Sequence, residues 1–339
     1  MYLSRPSTTS GPDTISEQAD PARGAIWIVA LGLAAIATVL SPDRILPTAS
    51  ATAVPFLILA AVVAAGMAGD RIGVFRALAR VLIRASAGPR LSAAAVLTFT
   101  ALVSGVVNLD VAVVVAMPVA LDVAQRNGLS ASRLAVAVAL TANATSFLLP
   151  TSNLTTLLVL TRSPLPAWTY LQASWIAWLL VTALTVGALA VVAGRHDTGT
   201  ASESGRPSAS RVPMLVDLIP MFVAASAIRA LLGTGLVLGG GFIAELATGS
   251  LLAAVVNNLP AAAAVAPVGA TGRWAAVLAM AVGPNLLLTG SVASLICRRI
   301  AHDRQAGFGA VTFTLLGTAL LPAQLLVAWG GLMLTGAVG

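Results

Sequence analysis

The sequence predicts an all-α polytopic membrane protein, an inverted-topology repeat with two re-entrant helical hairpins and two broken transmembrane helices. Three observations predict it. Apolar runs matching the roughly 20 helical residues of one hydrocarbon crossing recur along the chain, which is 58% apolar and 9% charged with a mean hydropathy of +0.94. Several of these runs carry Asn, Asp, Thr, Ser and Gly at their centres. The order span, hairpin, broken span, span occurs twice, over 51–193 and 214–339.

Each element follows from the residues in order. The polar stretch 1–23 contains Pro6, Pro12 and Pro21 and lacks the basic-then-apolar order of a cleaved signal, so it is expected as a disordered cytoplasmic tail. A first span over 24–40 leads through a short proline-containing turn and loop, to residue 50, into a second span at 51–69. Within 70–90, Arg76, Arg80 and Arg84 recur every four residues beside Val74, Phe75, Leu78, Val81 and Leu82, which describes a basic amphipathic helix on the membrane surface.

The hairpin at 91–124 has Asn108 and Asp110 near its centre. Its arm Val111–Leu121 has 11 residues before Asp122, about 16 Å of helix against a hydrocarbon core of about 30 Å, too short to cross. A broken span at 134–160 is interrupted by Pro150, Thr151, Ser152 and Asn153, and a span at 171–193 closes the first repeat. The Ser/Gly/Thr-rich stretch 194–213 is expected as a cytoplasmic linker. The second repeat has a span at 214–238, a hairpin at 242–269 around Asn257 and Asn258, a broken span at 274–297 interrupted by Thr289, Gly290 and Ser291, and a final span at 308–334. The arms Leu246–Val256 and Leu259–Gly269 are again 11 residues each. Non-helical backbone at that depth survives only inside protein or beside a water-filled cavity.

Charge placement fixes an expected orientation. All 19 basic residues are arginine. With each hairpin counted as no crossing, 15 fall on one side and three, Arg44, Arg162 and Arg273, on the other, with Arg229 inside a span. The positive-inside rule then puts the N-terminus in the cytoplasm and gives the two repeats opposite orientations. The net charge of +7 is therefore read as topology, with no nucleic acid as partner. A soluble enzyme is excluded, and no nucleophile with a base, and no metal-ligand set, converges within the spans. Cys297 is the single cysteine, His196 and His302 lie in polar connections, and no cofactor is expected. Gly239, Gly240 and Gly241 read as a turn, because no Lys-Ser/Thr follows them.

Breaking a helix in lipid exposes N–H groups at one new end and C=O groups at the other. Asn, Ser and Thr add donors and acceptors without fixed charge. Four such breaks therefore predict a pocket for a small solute. Asp110 is the carboxylate nearest the centre, a site for uptake and release of a proton; it reads equally as a cap on the second hairpin helix. Asn257 and Asn258 read as solute ligands or equally as caps of their hairpin. Arg229 and Glu245 are expected to pair, with solute contact by Arg229 as the rival.

At these residues the sequence resembles the ion transporter superfamily, and within it the arsenite permease and related anion permeases. The stretch from Ala142 to Leu158, with its Pro150-Thr-Ser-Asn-Leu-Thr155, is similar to the arsenite permease segment ending in Ser-Asn-Leu-Thr. Val255–Pro260 resembles its second hairpin, and Gly283–Ser291 its second broken helix. The likeness spans roughly residues 50–300. It implies a solute site of Asn108, Asp110, Asn143, Thr151, Ser152, Asn153, Thr155, Asn257, Asn258, Asn285, Gly290 and Ser291. It implies a secondary transporter in the cell membrane that exports arsenite or a related small inorganic solute, with proton antiport through Asp110. A sodium/proton antiporter and a sodium-coupled dicarboxylate permease are the alternatives. The implied partners are the solute, a proton or sodium ion, the bilayer, a second copy of the chain and a separate ATPase chain.

Overall fold

The computed structural model describes residues 21–84, 88–195 and 214–338. The expected tail before residue 21, most of the expected linker and His196 lie outside the described residues. Among the described residues the chain is helical, without a strand, and Leu236 and Val265 form an isolated bridge.

The first helices are α1 (Pro21–Leu40), α2 (Pro42–Arg71) and α3 (Val74–Arg84). The turn and loop expected before residue 51 are instead the first turns of α2, with Ser41 alone between α1 and α2. Pro42 stands at the start of the helix, where its missing N–H is no loss. The Thr48 and Ser50 hydroxyls donate to the carbonyls of Arg44 and Pro47, at 2.7 and 2.9 Å, and hold polar residues within helix.

The first hairpin is α4 (Pro89–Val106) and α5 (Leu109–Asn127). Its arms are longer than the 11 residues counted between polar positions, because Asp122 and Arg126 ride on the same helix and Gly128, at φ +62°, ends it. At 18 and 19 residues these helices are each about 28 Å long. The first broken helix is α6 (Ala131–Ala144), an unwound stretch with a short 3₁₀ turn at Pro150–Ser152, and α7 (Leu154–Arg162). Helix α8 (Ala167–Ala193) follows.

The second repeat has α9 (Met214–Leu232), then the hairpin α10 (Phe242–Val256) and α11 (Asn258–Ala264). After it come α12 (Gly269–Val282), two 3₁₀ turns, α13 (Val292–Asp303) and α14 (Ala310–Leu334). The arm expected over 259–269 stops at Ala264, and the span expected to reach 238 stops at Leu232. Pro267 biases Ala266 towards extended backbone, and the N–H groups of Leu236 and Ala266 donate to the carbonyls of Ala264 and Leu236, both at 2.8 Å. Two short extended pieces satisfy each other where helix was expected.

Equivalent elements pack on one another: α2 against α9, and α8 against α14. Helix α1 covers α9. Every residue from Leu134 to Ala144 in α6, and from Trp274 to Val282 in α12, is buried. Helices apolar on all faces belong inside the bundle, so the two broken helices form its centre. By length and composition α2, α4, α8 and α14 can each cross a membrane. At one end of the bundle Arg304 approaches Asp122 at 3.6 Å, joining α13 to α5.

Candidate solute site

Both hairpin tips are built around one asparagine used in two ways. Asn108 precedes α5, where its Oδ1 accepts from the Asp110 N–H at 2.8 Å, while its Nδ2 donates to the Thr151 carbonyl at 3.1 Å. In the other repeat the Asn257 Oδ1 accepts from the Leu259 N–H at 3.2 Å, and its Nδ2 donates to the Thr289 carbonyl at 2.9 Å. Asparagine supplies an acceptor for the first N–H groups of a helix and a donor for a freed carbonyl in one side chain. Each tip is thereby tied to the break in its own repeat. Asn108 is fully buried, and Asn257 is half-buried. The tips differ in backbone. Val107 and Asn108 separate α4 from α5, but Asn257 alone separates α10 from α11 and takes φ +79°.

The first break exposes carbonyls between α6 and α7, and α8 satisfies three of them. Trp178 Nε1 donates to Thr145 at 2.8 Å, the Tyr170 hydroxyl to Phe147 at 3.0 Å, and the Ser174 hydroxyl to Leu148 at 2.8 Å. Ser104 on α4 donates to the Ala142 carbonyl at 2.7 Å. These four residues were not singled out from the sequence, although Tyr170, Ser174 and Trp178 stand at i, i+4 and i+8, on one face of an apolar helix. Asn153 caps α7 by accepting from the Thr155 N–H at 3.1 Å and donates to the Ser146 hydroxyl at 3.0 Å. Ser152 donates to its local Leu149 carbonyl at 2.6 Å.

At the second break Pro284 has no N–H for the Met280 carbonyl four residues earlier, and the Asn258 Nδ2 approaches that carbonyl at 3.4 Å. Asn258 thus serves the α12 backbone. Ser291 precedes α13 with no side-chain cap. Gly290 lies where a Cβ would come within 2.8 Å of the Pro284 backbone.

The two breaks also meet each other. Asn143 Nδ2 donates to Asn285 Oδ1 at 3.0 Å and to the Ser294 hydroxyl at 2.9 Å, and Asn285 Nδ2 donates to the Leu140 carbonyl at 3.0 Å. A chain of contacts therefore runs from one tip through both breaks to the other. Along it the Asn143 Oδ1 and the Thr155 and Ser250 hydroxyls are buried without a partner in the protein; buried polar atoms of this kind ordinarily have one. Beyond the break α7 continues for nine residues, about 14 Å of helix.

Asp110 is the second residue of α5. Asp110 does not cap α5, as the alternative reading expected: Asn108 provides the cap, and among the described residues no hydrogen bond or ion pair engages the Asp110 carboxylate. The expected pairing of Arg229 with Glu245 also fails. Arg229 reaches α7, where its Nη1 donates to the Thr161 hydroxyl at 2.6 Å, while the Glu245 carboxylate lies beside Gly272.

Long apolar helices around buried, unwound, amide-lined segments define a membrane protein that moves a small solute across the bilayer. Residues 21–265, from α1 through the second hairpin, match the family model described as citrate transporter (CitMHS). A search of the curated proteins gives no match. The chain belongs to the citrate transporter family: it is a multi-pass membrane protein and a secondary transporter of the citrate or anion type.

Proposed function

We propose that the chain binds a small oxygen-bearing anion at the paired tips and breaks, with a carboxylate of the citrate kind as the first candidate. The observation that carries this reading is the pair of Asn bonds, Asn108 to Thr151 and Asn257 to Thr289. Each brings the start of a hairpin helix beside the start of the second half of a broken helix. Free N–H groups at such starts, with the positive end of the helix dipole, suit anions. The unpartnered Thr155 and Ser250 hydroxyls add donors. Asp110, one residue inside α5, is the proposed proton carrier, and the N-terminus is placed in the cytoplasm of a cell whose plasma membrane the protein spans.

A second reading is arsenite export. It is favoured by the site's composition of amides, hydroxyls and helix ends with no cationic side chain, which suits a largely uncharged oxyacid better than a carboxylate that bidentate arginine would hold. Reconstituted proteoliposomes separate the two. Labelled citrate and arsenite are offered under an imposed pH gradient and, separately, a sodium gradient, to the wild type and to Asn108→Ala and Asn257→Ala. Citrate flux driven by the pH gradient and lost in both variants supports the proposal. Arsenite flux alone moves it to the second reading, and flux of neither solute overturns both.

A further inference from the structure

The arginines that charge counting set apart from the rest gather at one end of the bundle, away from the central breaks. Arg162 closes α7, Arg229 closes α9, Arg273 opens α12 and Arg44 lies in the first turn of α2. Arg229 and Arg273 reach the stretch Thr161–Ser163 that holds Arg162, and Arg162 and Arg44 meet the turn at Gly233–Gly235. Arg229 Nη1 donates to the Thr161 hydroxyl at 2.6 Å, and Arg273 Nε to the Ser163 hydroxyl at 2.9 Å. Arg162 Nη1 donates to the Thr234 carbonyl at 2.7 Å. The turn holding Thr234 is flanked on its other side by Arg44, whose guanidinium touches the position a Cβ on Gly233 would take.

Two features set this cluster apart from arginines that simply cap helix carbonyls. First, no carboxylate pairs with any of the four among the described residues. Glu245 lies beside Gly272, next to Arg273, but makes no ion pair with it, and among the described residues no carboxylate reaches Arg162 or Arg229. Second, the Nε of Arg162 and the Nε of Arg229 are buried without a partner, and Arg229 as a whole is only 7% exposed. A buried guanidinium with an idle donor and no counter-charge is costly. The planar fork of arginine matches two oxygens of one carboxylate or phosphate.

We propose that Arg44, Arg162, Arg229 and Arg273 form a second anion site, which takes a ligand bearing two or more negative oxygens. Its place is the seam between α2 and α9 on one side and α7 and α12 on the other, so a bound polyanion bridges these two sets of helices. Two sources share this chemistry: a soluble polycarboxylate, concentrated there by the local field before it moves deeper, and the headgroup of an anionic lipid. Exposed Leu46 and Val237 flank the cluster, which places it within reach of lipid.

The test uses the full chain in nanodiscs of neutral lipid, with citrate and inorganic pyrophosphate as soluble probes, and in nanodiscs containing phosphatidylglycerol. The wild type is compared with Arg44→Gln, Arg162→Gln, Arg229→Gln and Asn257→Ala by calorimetry and by thermal unfolding. Saturable pyrophosphate or citrate binding that weakens about tenfold in Arg162→Gln and Arg229→Gln, weakens with added salt, and persists in Asn257→Ala supports a soluble ligand. Arg44 is exposed, so Arg44→Gln tests the site without disturbing packing; a loss of about threefold is expected. Thermal stabilisation by phosphatidylglycerol that the arginine variants lose, with no response to soluble probes, supports the lipid source. An identical response of wild type and arginine variants to every probe overturns the site. Because Asn257→Ala reports on the central breaks alone, failure here and failure of the proposed transport site are read separately.

Discussion

Asn108 and Asn257 stand 149 positions apart and do the same work: each caps the second helix of its hairpin and donates its amide to a threonine carbonyl in the neighbouring break, Thr151 for one and Thr289 for the other. The two repeats therefore share a chemical device even where their backbones differ.

Asn108→Asp keeps the acceptor that caps α5 but removes the donor to Thr151, whereas Asn108→Ala removes both. A lost cap costs about 1 kcal/mol, and a buried carbonyl left without its donor about 1–3 kcal/mol. Asn108→Asp also puts a carboxylate at a fully buried position against the Thr151 carbonyl, so both variants are expected to unfold below the wild type and to lose solute flux. Thermal unfolding beside proteoliposome uptake checks this; an Asn108→Asp protein with full flux would show that the bond to Thr151 is dispensable.

Asn257 holds φ +79° because it alone links α10 to α11. Such a backbone in a residue with a Cβ costs about 1–3 kcal/mol. Asn257→Gly is therefore expected to be more stable than Asn257→Ala, although both lose the cap and the donor. Unfolding midpoints measured side by side decide it. Equal midpoints would mean that the tip relaxes.

Among the described residues the Asp110 carboxylate makes no hydrogen bond or ion pair, so Asp110→Asn is expected to leave stability almost unchanged. If Asp110 carries the proton, the variant no longer accumulates solute when only a pH gradient is imposed, while exchange of solute across the membrane at equal pH persists. Full accumulation by Asp110→Asn would assign coupling elsewhere.

Tyr170→Phe leaves the Phe147 carbonyl without its donor and is expected to cost about 1–3 kcal/mol. Trp178→Phe does the same at Thr145, with added loss of packing. Both act on the first break from outside it. Lower unfolding midpoints are the expected result, and midpoints equal to that of the wild type would mean that water replaces these donors.

Gly317 lies bare against the Asn285 carbonyl, and a Cβ there would overlap that oxygen. Gly317→Ala is expected to destabilise by about 1–3 kcal/mol, as overpacking does. Gly187→Ala, with nothing within 4 Å of the new methyl, serves as the control and is expected to be neutral or slightly stabilising. Loss of folded protein in both would point to a general effect of added bulk.

Much of the architecture was legible because polar residues in a long apolar run have few explanations in a bilayer. Asn108, Asn153 and Asn257 announced the starts of helices. Helix lengths were less legible. Charges such as Asp122 and Arg126 mark where lipid ends, whereas the helix continues to Gly128. The short α11 depended on Leu236, a residue from another segment, taking over the bonds around Ala264. The same limit explains Arg229: its partner Thr161 lies 68 positions away, and Glu245 was only nearer in sequence. Site residues that face inward from α8 were hidden for a different reason, since Tyr and Trp in an apolar helix read first as bulk.

The amide pair Asn143–Asn285 has a mechanical consequence. It rivets the two interrupted helices back to back, with Ser294 as a further fastening, so neither can slide past the other without shearing buried polar contacts. A displacement of one is thereby handed to the other, and both lean on the same two neighbours, α8 and α14.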